Sequence, residues 1–171
     1  HSLFTLNENG DIVPVKCGEL KKGDVIVVAK ALPKSENNYK TFVLSSLPEF
    51  SEFLLIKNGD EWFIKAPHSN GNGVLPNKIV LNEDIGFLAG IWLSDGSYDK
   101  NSVLFSVIGK GFDEYLYSIL AKLGLKWNIA PDKVTLRINS LPFKIFLQNT
   151  LQLKGYSNTK FIPQIFFDAP D

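Results

Sequence analysis

The chain has 171 residues, of which 44% are hydrophobic, and its 18 lysine and arginine residues balance 18 acidic residues. That length and apolar content suffice for a buried core in one domain or two small ones, and they exclude a disordered chain. There is no apolar run of about 18 residues and no signal-peptide pattern, so we predict no membrane partner. The single cysteine, Cys17, cannot form an internal disulfide, which favours a cytoplasmic or nuclear location.

Residues 1–32 contain short apolar runs separated by turn signals. Residues 3–6 and 12–15 are predicted to be strands, because Asn9 and Gly10 between them are typical of a tight hairpin turn. Residues 25–29 are predicted to be a fully buried strand. Only Lys16 adds a basic group beside Cys17, so we interpret Cys17 as a buried packing residue rather than a catalytic one. The segment therefore predicts a small all-β structure.

Residues 33–80 give the weakest signals in the chain. A helix over 44–56, a strand over 61–65 and a loop over 68–73 are the predicted elements. We interpret the segment as a connector of uncertain structure between two better defined parts.

Residues 82–95 have the apolar spacing of a helix that begins at Asn82, a capping side chain. Gly86 and Gly90 lie inside this helix, where each glycine costs roughly 1 kcal/mol relative to alanine. Together with Ala89 they would form a flat stripe for a second helix, and these three residues are our predicted helix interface. Asp95, at the end of the helix, offers a carboxylate to a divalent metal. The alternative is an ordinary buried helix that ends on an acid.

Together with this helix, the elements predicted over residues 97–153 have the order αββαββα. Strands are predicted over 97–100 and 102–108, a helix over 112–123, a hairpin over 126–130 and 133–139, and a helix over 141–153. Residues 97–145 contain seven cations and four anions, although the whole chain has no net charge. The zero net charge of the chain counts against nucleic-acid binding, whereas the excess of cations over residues 97–145 favours it.

Residues 88–96, LAGIWLSDG, resemble the LAGLIDADG motif of homing endonucleases, with matches at Leu88, Ala89, Gly90, Asp95 and Gly96. The sixth position, usually acidic, is a leucine. The resemblance implies an α+β half-domain whose sheet lies in the major groove of double-stranded DNA. It also implies that Asp95 is the catalytic acid and binds Mg²⁺ for DNA cleavage. Lys126, Lys133 and Arg137 lie on the second predicted hairpin, where alternation of side chains should direct some of them toward a DNA groove, so these three are the predicted DNA-binding residues.

Residues 1–28 resemble a conserved block of the Hint, or intein splicing, domain. In that block a histidine and an apolar strand are followed by a turn like that of residues 19–24. The resemblance implies that His1 assists the amino-terminal acyl shift, which needs no cofactor, by donating to the scissile amide.

The two resemblances together divide the chain into part of a Hint splicing domain (1–32), a connector (33–80) and a LAGLIDADG half-domain with its linker (81–171). They imply an intein fragment that combines self-splicing with a site-specific DNA endonuclease. Its partners would be double-stranded DNA, the remaining intein segments and the flanking host protein, or exteins. We see neither an amino-terminal nucleophile nor a second acid, so this chain alone is expected to be incomplete for both activities.

Two alternatives remain at this point. The endonuclease part could be a catalytically inactive remnant that serves only as a structural or DNA-binding module of the intein. The chain could also be a LAGLIDADG protein that assists RNA splicing or regulates transcription, although the block over residues 1–28 argues against this.

Overall fold

The structure, a computed structural model, describes residues 2–27, 40–67 and 73–167. The chain divides into two compact units, His1–Lys34 and Ser35–Asp171. All but the first two residues of the predicted connector therefore belong to the larger unit. No helix in the described ranges is long and apolar enough to cross a membrane.

The smaller unit is built on an antiparallel hairpin of β1 (Ser2–Leu6) and β2 (Ile12–Lys16). The side-chain oxygen of Asn7 accepts hydrogen bonds from the backbone N–H groups of Asn9 and Asp11, at 3.0 and 2.8 Å. Gly10 has a φ of 83°, a conformation that costs glycine little. These features confirm the predicted hairpin.

Two expectations for this unit are wrong. Val25 is 57% exposed, so the described part of residues 25–29 is not a fully buried strand, and Cys17 is also exposed, in the short 3₁₀ turn Cys17–Glu19. The cause is the lack of a second layer, because no apolar side chain of the unit's described residues belongs to the buried core. His1, with its predicted role in the acyl shift, lies outside the described residues.

The larger unit begins with strands rather than with a connector. β3 (Thr41–Val43) pairs with β7 (Lys78–Val80), and β4 (Leu54–Asn58), β5 (Glu61–Lys65) and β6 (Val74–Pro76) form an antiparallel sheet in that order. The strand predicted over 61–65 is confirmed. The helix predicted over 44–56 is wrong, because the 3₁₀ turns Leu44–Ser46 and Pro48–Phe50 precede β4.

The αββαββα order predicted for the rest of the unit is present. Its elements are α1 (Glu83–Asp95), β8 (Gly96–Asp99), β9 (Ser102–Ser106), α2 (Asp113–Lys122), β10 (Trp127–Ile129), β11 (Thr135–Ile138) and α3 (Leu141–Ile145), which continues as the π-helix Phe146–Thr150. The four strands form an antiparallel sheet in the order β10-β11-β9-β8. Which family this order belongs to remains a prediction.

Local signals explain where the helices begin and end. The Asn82 side chain caps α1 by accepting from the N–H of Ile85 at 3.2 Å, and the Ser140 hydroxyl caps α3 by accepting from the N–H of Phe143 at 3.3 Å. After α2, Gly124 adopts a φ of 67°, the left-handed conformation that commonly ends helices. These caps fix the directions in which the chain enters and leaves the sheet.

The core of the larger unit joins the sheet to segments from both ends. Trp92 of α1, Phe105 of β9 and Phe143 of α3 are fully buried, and each such side chain contributes roughly 1.5–3 kcal/mol. Phe42 packs edge-to-face on Phe146 with ring centroids 5.8 Å apart. Phe42 lies in the segment interpreted as a connector, so that interpretation is corrected: the described parts of this segment, residues 41–67 and 73–80, contribute side chains to the core.

Asp84 ties the first turn of α1 to α2. Its carboxylate accepts from the Lys122 ammonium at 2.8 Å and from the Tyr115 hydroxyl at 2.9 Å. The hydrogen bond from Lys122, followed by that from Tyr115, lowers the pKa of Asp84 against an opposing effect of burial.

A group whose pKa is lower in the folded state stabilises the fold above its unfolded value and loses that effect as pH falls. We therefore expect Asp84→Asn to lower the free energy of unfolding at pH 6 by up to about 1 kcal/mol, the range of exposed ion pairs. At pH values well below the ordinary 3.8 of an aspartate the difference from the parent should shrink. Urea denaturation at pH 6 and pH 2 measures this. Asp60→Asn, in the turn between β4 and β5, is the control, and an equal pH effect in both variants would contradict the assignment.

Candidate functional site

The four-stranded sheet has one face in the core and one polar face, which we call the outer face. Ser97, Leu104, Arg137 and Asn128 are register partners in one row across β8, β9, β11 and β10. Because strand residues alternate, this row lies opposite the buried side chains of their neighbours, such as Phe105. Ser97 and Asn128 are exposed. The outer face therefore presents a hydroxyl, a guanidinium and an amide in line.

Arg137 is held in place at the centre of the outer face. Its Nη1 donates to Asp99 Oδ2 at 2.6 Å, and the other oxygen of Asp99 accepts from the N–H of Lys100 at 2.7 Å. Lys144 Nζ fixes the same turn by donating to the carbonyls of Asp99 and Lys100 at 3.1 and 3.0 Å. The hydrogen bond from Arg137 lowers the pKa of Asp99. Both side chains still reach solvent, with 34% of Arg137 and 50% of Asp99 exposed.

Hydroxyl and amide groups form two further chains on this face. Thr135 donates its hydroxyl to Asp132 at 2.6 Å, so Ser106 is the donor in its 3.0 Å bond with Thr135. The second chain runs from the Ser102 hydroxyl to Asn139 at 2.8 Å and from the Asn139 amide to Asn128 at 3.3 Å. These bonds hold polar side chains in fixed orientations, which suits recognition of another polar surface.

Lys126 and Lys133, predicted with Arg137 to bind DNA, lie at opposite ends of the β10–β11 hairpin. Lys126 directly precedes β10 and, two residues before Asn128, belongs to the outer face by alternation. Lys133 lies in the exposed turn that links the two strands, with a φ of 62°. The structure therefore does not cluster the three cations. It spreads them along one hairpin, with Arg137 between the two lysines.

Asp95 lies exposed at the end of α1 and binds a lysine. Its Oδ2 accepts from Lys110 Nζ at 2.7 Å, and this hydrogen bond lowers its pKa. Lys160 Nζ donates to the carbonyls of Trp92 and Gly96, at 2.6 Å each, and lies 4.5 Å from the centre of the Trp92 ring. Burial lowers the pKa of Lys160. These bonds of Lys110 and Lys160 could not be predicted from the sequence, because each lysine is far from its partners along the chain.

A cleft of about 540 Å³ adjoins Asp95 and reaches the outer face at Ser97 and Ser106. Asp95 is the only acid among its described lining residues, which also include Lys154 and Lys160. No group of three or more His, Cys, Asp or Glu residues that could hold a metal occurs in the described ranges. A single carboxylate already bonded to an ammonium does not fit a resident Mg²⁺, which is held by several oxygen ligands. We therefore derive no chemistry from the predicted cofactor.

The predicted helix interface needs one correction. Ala89 is 2% exposed and lies in the core of this chain, so it does not belong to an open stripe with the glycines. Gly86 is half-buried and Gly90 is exposed. A Cβ built on either glycine would meet no atom within 4 Å among the described residues. The two glycines thus leave one side of α1 open, and an interface there stays a prediction.

Comparison with known proteins adds two relatives, and no family model matches the chain. The chain is 31% identical to the DNA-directed RNA polymerase subunit Rpo1C of Methanocaldococcus jannaschii over 97% of its own length, but spans only 19% of that protein. It is 47% identical over 38 residues to transcription initiation factor IIB of the same organism, which is 22% of the chain and 6% of the factor. The chain is thus similar to short parts of two archaeal transcription proteins.

These relatives contradict the functional prediction. Their names describe transcription proteins, not an intein or a homing endonuclease. The predicted self-splicing and DNA cleavage are corrected accordingly, as are the alternative of an inactive remnant within an intein and the predicted intein and extein partners. Five matches in a nine-residue motif, with Leu93 at a usually acidic position, were too few to assign an enzyme. The individual roles predicted for His1 and Asp95 stay untested.

Proposed function

We propose that the larger unit is a module that binds double-stranded DNA and is carried within a transcription-related protein. The observation that carries this proposal is the outer face of the four-stranded sheet, where hydrogen-bonding side chains from all four strands lie in fixed positions. One-sided antiparallel sheets commonly leave a polar face to water. A face whose side chains are ordered by mutual hydrogen bonds is instead suited to a polar ligand of defined shape.

The side chains of the outer face have the chemistry that base edges require. Arginine donates to the acceptors of guanine, asparagine bonds both acceptor and donor of adenine, and serine or threonine can serve several bases. Arg137, Asn128 and Ser97 supply all three types in one row. Sheets and two-stranded ribbons are established readers of DNA grooves. The β10–β11 hairpin is thus the element that would enter the major groove.

Cations at the ends of that hairpin would position it on the phosphates. Lys126 and Lys133 lie on either side of Arg137 along the hairpin, and residues 97–145 have three more cations than anions. Phosphate contacts fix the register of a protein on the duplex, whereas base contacts give specificity. A chain without net charge is expected to bind arbitrary DNA weakly and to depend on base contacts for tight binding.

The comparisons support a module rather than polymerase activity. The match to the polymerase subunit covers 97% of the chain, so the 38-residue match to the initiation factor overlaps it. The two relatives have different names, a polymerase subunit and an initiation factor, so the similarity they share with this chain is more easily explained by a common module than by polymerase activity. The words DNA-directed in the first name favour DNA as the ligand. We infer a cytoplasmic or nuclear setting, and a fold of the half-domain type that the αββαββα order implied.

Fluorescence anisotropy with the full chain and a labelled duplex of mixed sequence tests the proposal. We expect binding in low-salt buffer that Arg137→Ala weakens by up to about tenfold, because the variant loses one cation and its hydrogen bonds to DNA. Lys57→Ala, on β4 outside the four-stranded sheet, removes the same charge and should leave the affinity close to that of the parent. A chain that binds no duplex, or an equal loss in both variants, would refute the proposal.

A further inference from the structure

Asp99 and Arg137 form a donor and acceptor pair on the outer face. They lie two strands apart, on β8 and β11, and their 2.6 Å bond passes over β9. Each is held by its partner, and Asp99 is also held by the N–H of Lys100. Since both side chains are partly exposed, the pair can contact a ligand as well as stabilise the fold. A fixed, solvent-facing pair of opposite charges is a binding element of defined polarity.

The hydrogen-bonding capacity of the pair exceeds what its internal bonds use. A guanidinium has five N–H donors in a rigid fork, and the bond to Asp99 is made by Nη1. A carboxylate has about four lone-pair sites, of which the bonds from Arg137 and Lys100 occupy two. Because both side chains are partly exposed, their unused donors and acceptors are accessible to a ligand.

We propose that Asp99 and Arg137 together recognise the major-groove edge of a guanine–cytosine base pair, with Asp99 as the specificity-determining residue. In that edge the O6 and N7 acceptors of guanine lie beside the N4 amino donor of cytosine. Arg137 donates to guanine while Asp99 accepts from cytosine, so both halves of the base pair are read at once. This inference rests on the proposed DNA binding.

Asp99 contributes to discrimination in two ways. A lone arginine would bind phosphates anywhere on DNA, whereas the neighbouring carboxylate repels phosphate and restrains the guanidinium. At an adenine–thymine pair, the carboxylate would face the O4 acceptor of thymine when the arginine faces adenine, and it would find no donor there. Repulsion of the wrong partner is a common basis of specificity. The zero net charge of the chain agrees with low affinity for arbitrary duplex.

Selection from a random duplex library with the full chain, followed by anisotropy on the selected sites, tests this inference. The parent should select a site that contains a guanine–cytosine pair at one fixed position and should prefer it over adenine–thymine by about tenfold or more. Asp99→Ala should lose most of that preference while its affinity for unselected duplex rises. Arg137→Gln should lose both preference and affinity, with circular dichroism and thermal unfolding used to verify that it is folded.

Asp60→Ala is the matched control, because it removes one exposed acid from a turn outside the four-stranded sheet. It should keep the parent's preference. A parent that binds duplex but selects no fixed guanine–cytosine pair, or an Asp99→Ala variant with the parent's preference, would overturn this inference and leave the proposed DNA binding intact. A parent that binds no duplex would instead refute the proposed function itself.

Discussion

Gly96→Ala is expected to lower the free energy of unfolding by about 3 kcal/mol, at the upper end of the usual range for overpacking. The added Cβ would lie 2.6 Å from Cδ1 of Trp92 and would also collide with the Trp92 backbone. Trp92 is fully buried and cannot move aside. Gly96 cannot retreat either, because its N–H bonds the Trp92 carbonyl and its own carbonyl accepts from Lys160. Thermal unfolding should therefore occur roughly 10 °C lower than in the parent.

Gly90→Ala, within α1, is the matched control. A Cβ at Gly90 meets no atom within 4 Å among the described residues, so the substitution should raise the free energy of unfolding by about 0.5–1 kcal/mol through the higher helix propensity of alanine. Urea denaturation of both variants measures the contrast. A Gly96→Ala variant as stable as the parent would show that β8 packs on Trp92 more loosely than these distances indicate.

The combined replacement of Lys126, Lys133 and Arg137 by glutamine is expected to lower duplex affinity in low-salt buffer on the order of 10²- to 10³-fold. Each phosphate contact releases counterions and makes the slope of log affinity against log salt steeper by about 0.9, so loss of the two lysine contacts should make the slope shallower by about 2. Arg137 is proposed to contact a base, so its replacement should lower affinity mainly through that lost contact. Anisotropy titrations over a series of salt concentrations give both quantities.

A control variant should carry three glutamines at exposed lysines outside the four-stranded sheet: Lys40, Lys57 and Lys78. Its net charge equals that of the test variant, so a general charge effect would appear equally in both. If the slope of log affinity against log salt changed equally in the two variants, a phosphate-binding role for the β10–β11 hairpin would be disproved.

Elements whose signals are local could be predicted from the sequence. The cap at Asn82, the hairpin turn at Gly10 and the helix end at Gly124 each depend on residues within one turn of the chain. The seven elements from α1 to α3 were predicted for the same reason, since their apolar spacing and their turns are adjacent in sequence.

Elements whose stability depends on distant partners could not be predicted. The strand β3 pairs with β7, and Leu44 and Ser45 bond Asn77 in place of a helical turn. An apolar pattern over residues 44–56 contains no trace of those partners, so a helix was predicted there. The contacts of the candidate site could not be predicted for the same reason. Alternation placed Arg137 on one face, but its bond to Asp99 and the bond of Lys110 to Asp95 depend on the tertiary fold.

Lys160 sets a limit on how far this polypeptide can be shortened. Its ammonium satisfies two carbonyl groups at the end of α1, which precede it by 68 and 64 residues. Removal of the chain from residue 160 onward would leave those carbonyls without their donor and would uncover the face of the Trp92 ring. Proteolytic trimming past Lys160 should therefore loosen a helix that the protease never touches.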